Sequence, residues 1–390
     1  MPSSTNRLWR RRHTLGSAAL ACLLLAVLLV LQPRVAAPDQ RTGFFPHAIA
    51  LADFNRDGHL DMAVPASAER QVTILLGDGQ GGIQANHAYP VGQGPTWVDT
   101  ADFDGDGRID LVTSNTGGAS LTIYFGDGQG RFASRQDIEG IHGPASVVAA
   151  DFTRDGQPDL AVAQAAKAQV AILLNQDKGR MKLVRAYKVG RGPHILSQAD
   201  LNRDGLPDLA VGSLGTHTLS VLLGQGDGTF SEAITVPVGR FPHYRAFRDW
   251  NGDGHTDVAI VAAGDDAVDI LLGDSTGSLK KTVSYPVGTN AHGLDSGDFN
   301  GDGHLDLVVS NRSSRDLHVL LGDGAGAFVL RPPIPVGQDI VALAVGDLDE
   351  DQQADLVLVS ATSHAVMLFR GDGHGNFTPF SSQKAKEPQQ

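Results

Sequence analysis

The chain has 390 residues, 47 glycines, 6% aromatic residues and a formal charge of −13. Its one cysteine, Cys22, lies in an apolar N-terminal stretch, so the rest of the chain has neither disulfides nor thiol chemistry. The acidity argues against a nucleic-acid backbone as ligand.

At the N-terminus, Arg7, Arg10, Arg11 and Arg12 precede an uncharged run over residues 15–31, and Gln32-Pro33-Arg34 ends it. Residues 1–37 therefore read as a signal peptide or a single-span signal anchor. The best cleavage site, Val35-Ala36-Ala37, is followed by an unfavourable Pro38, and the run just reaches spanning length. Both readings keep the arginines in the cytoplasm and put the remainder outside: cell surface, periplasm or secreted.

From residue 44 to 380 the chain repeats, and residues 381–390 form a polar tail. The sharpest unit is DFDGDGRID at residues 102–110, where alternating aspartates precede a glycine. That start resembles an EF-hand loop, but position twelve is Thr113 rather than Glu, and the flanks are short and β-branched. The motif occurs seven times, its first aspartates being Asp53, Asp102, Asp151, Asp200, Asp249, Asp298 and Asp347, always 49 residues apart.

Within the first unit, residues 49–54, 61–65, 72–76 and 83–91 read as four short antiparallel strands separated by the acidic loop, SAERQ and GDGQGG. Seven such units predict an all-β, seven-bladed β-propeller of four-stranded antiparallel blades, with a stacked solenoid as the competing architecture. No clear N-terminal strand completes the last blade, which leaves ring closure open.

DFNGDGHLDLVVS (298–310) followed by LLGDGAGAF (320–328) resembles the FG-GAP and VCBS-type repeats of the integrin α-subunit propeller and of many secreted bacterial proteins. The resemblance spans all seven units. It implies calcium held between the first and second strands of each blade, with side-chain ligands at loop positions one, three, five and nine and a backbone carbonyl at position seven. It implies no particular activity, because the same repeats occur in adhesion proteins, lectins and polysaccharide lyases.

Carried onto this chain, up to seven Ca2+ sites follow. Blade two offers Asp102, Asp104, Asp106 and Asp110. Four blades place Asn at position three: Asp53, Asn55, Asp57 and Asp61 in blade one; Asp200, Asn202, Asp204 and Asp208 in blade four; Asp249, Asn251, Asp253 and Asp257 in blade five; Asp298, Asn300, Asp302 and Asp306 in blade six. Blade three (Asp151, Thr153, Asp155, Asp159) has a weaker hydroxyl ligand. Blade seven (Asp347, Asp349, Asp351, Asp355) replaces the turn glycine with Gln352, so these last two sites are expected to bind most weakly. Residues 1–37 hold five arginines and no acids, leaving −18 on the remainder, which seven divalent ions would reduce to about −4. The ions are read as structural.

If the first strand runs toward the acidic loop, the strand 1–2 and 3–4 turns share one repeated face. The 2–3 turns (SAERQ, NTGGAS, AAKAQ, LGTHT, GDDAV, RSSRD, ATSHA) and the blade connectors share the other, variable face. That face is expected to bind an unidentified protein or glycan. His47, His194, His243 and His292 occupy one frame position near its axis, where they either line the channel mouth or cap the inner strand. Phe44, Phe45, Trp97, Phe241 and Tyr244 cluster in the connectors, either to stack on sugars or to pack between blades. Sequons stand at Asn311 and Asn376. No catalytic constellation stands out. The reading is a monomeric, non-enzymatic, extracytoplasmic adhesion or protein-interaction module that touches membrane only through its N-terminal segment. The alternative is a carbohydrate-active protein, lectin or lyase, on the same scaffold.

Overall fold

The computed structural model describes residues 40–43 and 45–380, so the targeting segment, Phe44 and the polar tail lie outside the described residues. Among the described residues no helix is long and apolar enough to cross a membrane.

The repeat folds as read: seven separate antiparallel sheets, each ordered first to fourth strand outward, form a seven-bladed propeller. In blade one the strands are Ala50–Ala52, Asp61–Ala66, Gln71–Gly77 and Ile83–Pro90, within one or two residues of the spans expected from sequence. Each second strand is buried along all its 6 residues, since a neighbouring blade covers either face. This is why sequences such as DVAIVA (257–262) are apolar in succession rather than alternating. The core lies between blades: Phe103, Val112 and Ile123 of blade two pack with Val147, Leu160 and Leu173 of blade three. The outer strand Ile83–Pro90 alternates because only one of its faces meets the sheet stack, whereas the outer strand Met181–Lys188 of blade three is exposed over residues 182–186.

Ring closure is resolved. Gln40–Arg41 pairs antiparallel with Ala365–Gly371, the third strand of blade seven, beside Phe377–Pro379. The N-terminal dipeptide thus completes the outer position of the last blade. Blade six shows the same split with a continuous chain: Phe328–Leu330 and Ile334–Pro335 both pair with Asp316–Gly322. Gln40 stands 49 residues before Tyr89 of an outer strand, so the closing strand is in the repeat frame, although its residues do not look like the others.

Candidate functional site

The acidic loops share one backbone frame. In blade two, Asp102 accepts hydrogen bonds from the amides of Gly105 (2.8 Å), Asp106 (3.1 Å) and Gly107 (2.7 Å). Asp104 accepts from Asp106 N–H at 3.2 Å, and Asp106 accepts from Arg108 N–H at 2.9 Å. Positions four and six are left-handed throughout, which Gly105 (φ 73°) and Gly107 (φ 81°) take up freely. Blade seven forces Glu350 (φ 60°) and Gln352 (φ 65°) into the same conformation.

Position nine has a second role that spacing did not reveal. Asp61, Asp110, Asp159, Asp208, Asp257, Asp306 and Asp355 are all 0% exposed. One oxygen of each accepts from the amide of the position-two residue, as from Phe103 to Asp110 at 2.8 Å. The other accepts from the amide at the end of the third strand, as from Gly126 at 2.8 Å. Desolvation pushes the Asp110 carboxyl up to about 7, against the opposing pull of these two bonds. The same cause raises Asp61, Asp159, Asp208 and Asp355 to about 6. These carboxylates anchor three strands of the blade, and each oxygen keeps a lone pair directed elsewhere.

The frame brings carboxylate oxygens of Asp102, Asp104 and Asp106 within 4.8 Å of one another, and likewise those of Asp347, Asp349 and Asp355. That donor set of converging hard oxygens fits a divalent cation such as calcium. In blades one, four, five and six the position-three amide donates to the position-five carboxylate, as from Asn55 to Asp57 at 2.8 Å, while its own oxygen accepts from the position-five amide. Thr153 leans its hydroxyl toward Asp151 at 3.4 Å. In blade seven Arg370 is ion-paired to Asp349, a competing cation on a would-be ligand.

Neighbouring loops are tied together. The position-four residue reaches forward: Arg56 donates to the Gly107 carbonyl, and Glu350 pairs with His59 at 2.5 Å across the closure between blades seven and one. The 3–4 turns reach back, as in Gly130 N–H to the Phe54 carbonyl at 3.1 Å. The 1–2 and 3–4 turns therefore do share a face, while the 2–3 turns bond to the blade connectors on the other, as in Thr116 N–H to Gly94 O at 3.0 Å.

On the variable face, the histidine rings meet: His194 and His243 are 5.3 Å apart and His243 and His292 4.5 Å, centroid to centroid. Their Nδ1 atoms are buried without a partner. Desolvation lowers His194 to about 4, His243 to about 2 and His292 to about 3, and also lowers His47. Tyr244 crosses the axis, 5.6 Å from Trp97, and donates its hydroxyl to the His47 carbonyl at 3.0 Å. These two aromatics are thus packing residues. Phe45 and Phe241 are different: they are 58% and 48% exposed, both left-handed (φ 57° and 53°), and each is edge-on to a histidine of a 2–3 turn, His364 and His217. Below the mouth, the first strands line an axial cavity of about 430 Å³ that includes Asp99. Of the two sequons, Asn311 is fully buried and closed to glycosylation, whereas Asn376 is exposed.

Six overlapping segments, residues 53–113, 102–162, 155–211, 200–260, 249–309 and 298–358, match the FG-GAP-like repeat. A search of curated protein sequences finds no significant match. Among solved structures, a protein from Lactobacillus plantarum is similar at 18% identity and TM-score 0.61, over 86% of this chain and 96% of that one. BBS1N in its complex with ARL6DN is similar at 14% identity and TM-score 0.58, over 85% and 93% of the two chains. A catalytically inactive virginiamycin B lyase from Staphylococcus aureus with quinupristin is similar at 10% identity and TM-score 0.58, over 84% and 95%. At these identities the likeness is one of fold.

Proposed function

The chain belongs to the FG-GAP-like repeat family, and on that premise we propose that it is an extracytoplasmic calcium-binding propeller acting as a non-enzymatic adhesion or protein-interaction module. The observation that carries the calcium reading is the convergence of Asp102, Asp104 and Asp106 within 4.8 Å on a frame repeated around the ring. Calcium there offsets the mutual repulsion of the carboxylates and links the first two strands of each blade. A site of about 10 μM affinity in a millimolar-calcium exterior adds about 2.7 kcal/mol by linkage. Several such sites rival the roughly 5–15 kcal/mol stability of a domain.

Binding is assigned to the variable face. Phe45 and Phe241 support this, since each large apolar ring is left about half exposed, with one edge contact to a histidine, in a backbone conformation that favours glycine. The test is calcium stoichiometry together with thermal melting, with and without chelator. Five to seven bound ions and a large fall in Tm on chelation are expected; fewer than about three ions, or an unchanged melt, would refute calcium stapling.

A further inference from the structure

In a chain of net charge −13, residues 178–191 carry six cations and no acid: Lys178, Arg180, Lys182, Arg185, Lys188 and Arg191. All six are exposed. Among the described residues none of the six joins an ion pair, whereas Arg108, Arg135, Arg240, Lys281, Arg312 and Arg370 each hold a carboxylate. The run lies on and beside Met181–Lys188, the outer strand of blade three, whose far edge is open. Charges on an edge strand guard against stray pairing. Six are not needed for that, because the outer strand of blade one, IQANHAYP, has no Lys, Arg, Asp or Glu.

Apolar side chains interrupt the cations. Leu183 is 53% exposed and Val184 44%, the latter at a register shift where the strand bulges away from its partner. Beside the strand runs a groove of about 730 Å³ over Tyr187, Phe230 and Ala233. It opens because the outer strand of blade four is cut to the 4 residues Ile234–Pro237, against 8 in blade three. The Tyr187 hydroxyl accepts from Phe230 N–H at 2.8 Å, so the floor is fixed.

We propose that this edge and groove dock an extended acidic peptide segment of a partner protein, added as a further strand to blade three. By register Lys182 and Arg185 share one face with Tyr187 and the groove, and Lys188 shares the other with Leu183. Carboxylates on both faces of the peptide would therefore answer the cations, and apolar side chains beside them would cover Leu183, Val184 and the groove, while main-chain bonds fill the open edge. A nucleic acid would satisfy the cations but brings no apolar side chain to cover Leu183 and Val184, and an acidic polysaccharide offers no backbone N–H or C=O groups in strand register for the open edge.

The test uses the full chain in saturating calcium and a fluorescein-labelled peptide of sequence Glu-Glu-Val-Val repeated twice, 8 residues long to match the strand and carrying both residue types on each face, read by anisotropy. Wild type should bind it, more weakly as salt rises. The combined variant K182E/R185E/K188E should lose about tenfold or more in affinity without a change in Tm. Ala186→Pro, which keeps every charge and removes an N–H that points to the open edge, since Val189 N–H bonds inward to the Ala168 carbonyl, should weaken binding as well if the peptide adds as a strand. No binding, equal binding by the triple variant, or full binding by Ala186→Pro overturns the proposal. So does polygalacturonate that binds while the peptide does not. None of these variants touches the calcium loops, so failure here leaves that reading intact.

Discussion

Asp110 and Gly126 are sixteen residues apart in sequence and joined by a 2.8 Å hydrogen bond from the Gly126 amide to the buried carboxylate. A side chain at 126 would put its Cβ 2.2 Å from the Ile109 carbonyl oxygen, so glycine gives this closure its tightest form, although blade three makes the same bond from Asn175. Because Asp110 also accepts from Phe103 N–H, it has structural work independent of any ion. Asp110→Ala should cost about 3 kcal/mol even in chelator, by leaving two buried amides unpaired. Asp104→Ala should change little in chelator and lower calcium affinity instead. Urea denaturation of both variants with and without calcium separates the roles; equal effects would show position nine to be only a ligand.

Gln352 sits at φ 65°, where the other six loops have glycine. Left-handed backbone costs a non-glycine residue roughly 1–2 kcal/mol, and glycine returns part of that through the greater freedom of its unfolded chain. Gln352→Gly should therefore stabilise the protein by about 0.5–1 kcal/mol and tighten calcium binding at blade seven. A lower Tm would mean that the Gln352 side chain makes a compensating contact.

The 49-residue period fixed the strands closely because each second strand is apolar on both faces and each acidic loop marks its start. It also located the loops and the shared face of the histidines. Ring closure escaped because Gln40-Arg41-Thr42 has none of the apolar character of Tyr89-Pro90-Val91, yet the frame alone, extended one strand upstream, would have found it. The anchoring role of Asp110 was not legible, because spacing gives the same pattern for a buried carboxylate and a solvated ligand. Nor was the pairing of Arg370 with Asp349, which depends on a side chain twenty-one residues away. The cations at 178–191 were visible in the sequence but became meaningful only on an exposed edge without ion pairs.

Phe241 is held left-handed and half-exposed on the variable face. Phe241→Gly relieves the backbone and loses the edge contact with His217, for a net gain of about 0.5 kcal/mol. If the ring is a contact residue, the same substitution should weaken partner binding while raising Tm. A variant that binds its partner as well as wild type would remove Phe241 from the binding surface.

Asp99 lines the axial cavity and accepts from Ala149 N–H at 2.9 Å and Thr100 N–H at 2.9 Å. Desolvation between the first strands raises its carboxyl from 3.8 to about 6, the two hydrogen bonds only partly opposing it. A carboxyl more basic in the folded than in the unfolded state takes up a proton on folding between those values. Its stabilising contribution is thus full below about pH 4 and lost as pH rises through about 6, an upper bound near 3 kcal/mol. Asp99→Asn removes the titration, so its stability should fall less than that of wild type between pH 4 and 7. The comparison is made by urea denaturation in chelator, where calcium cannot add its own pH dependence. At pH 4 the variant should be the less stable of the two, since one amide oxygen serves both backbone donors less well than a carboxylic acid with two. Parallel pH profiles for the two proteins would place the Asp99 carboxyl in contact with bulk water rather than in a desolvated channel.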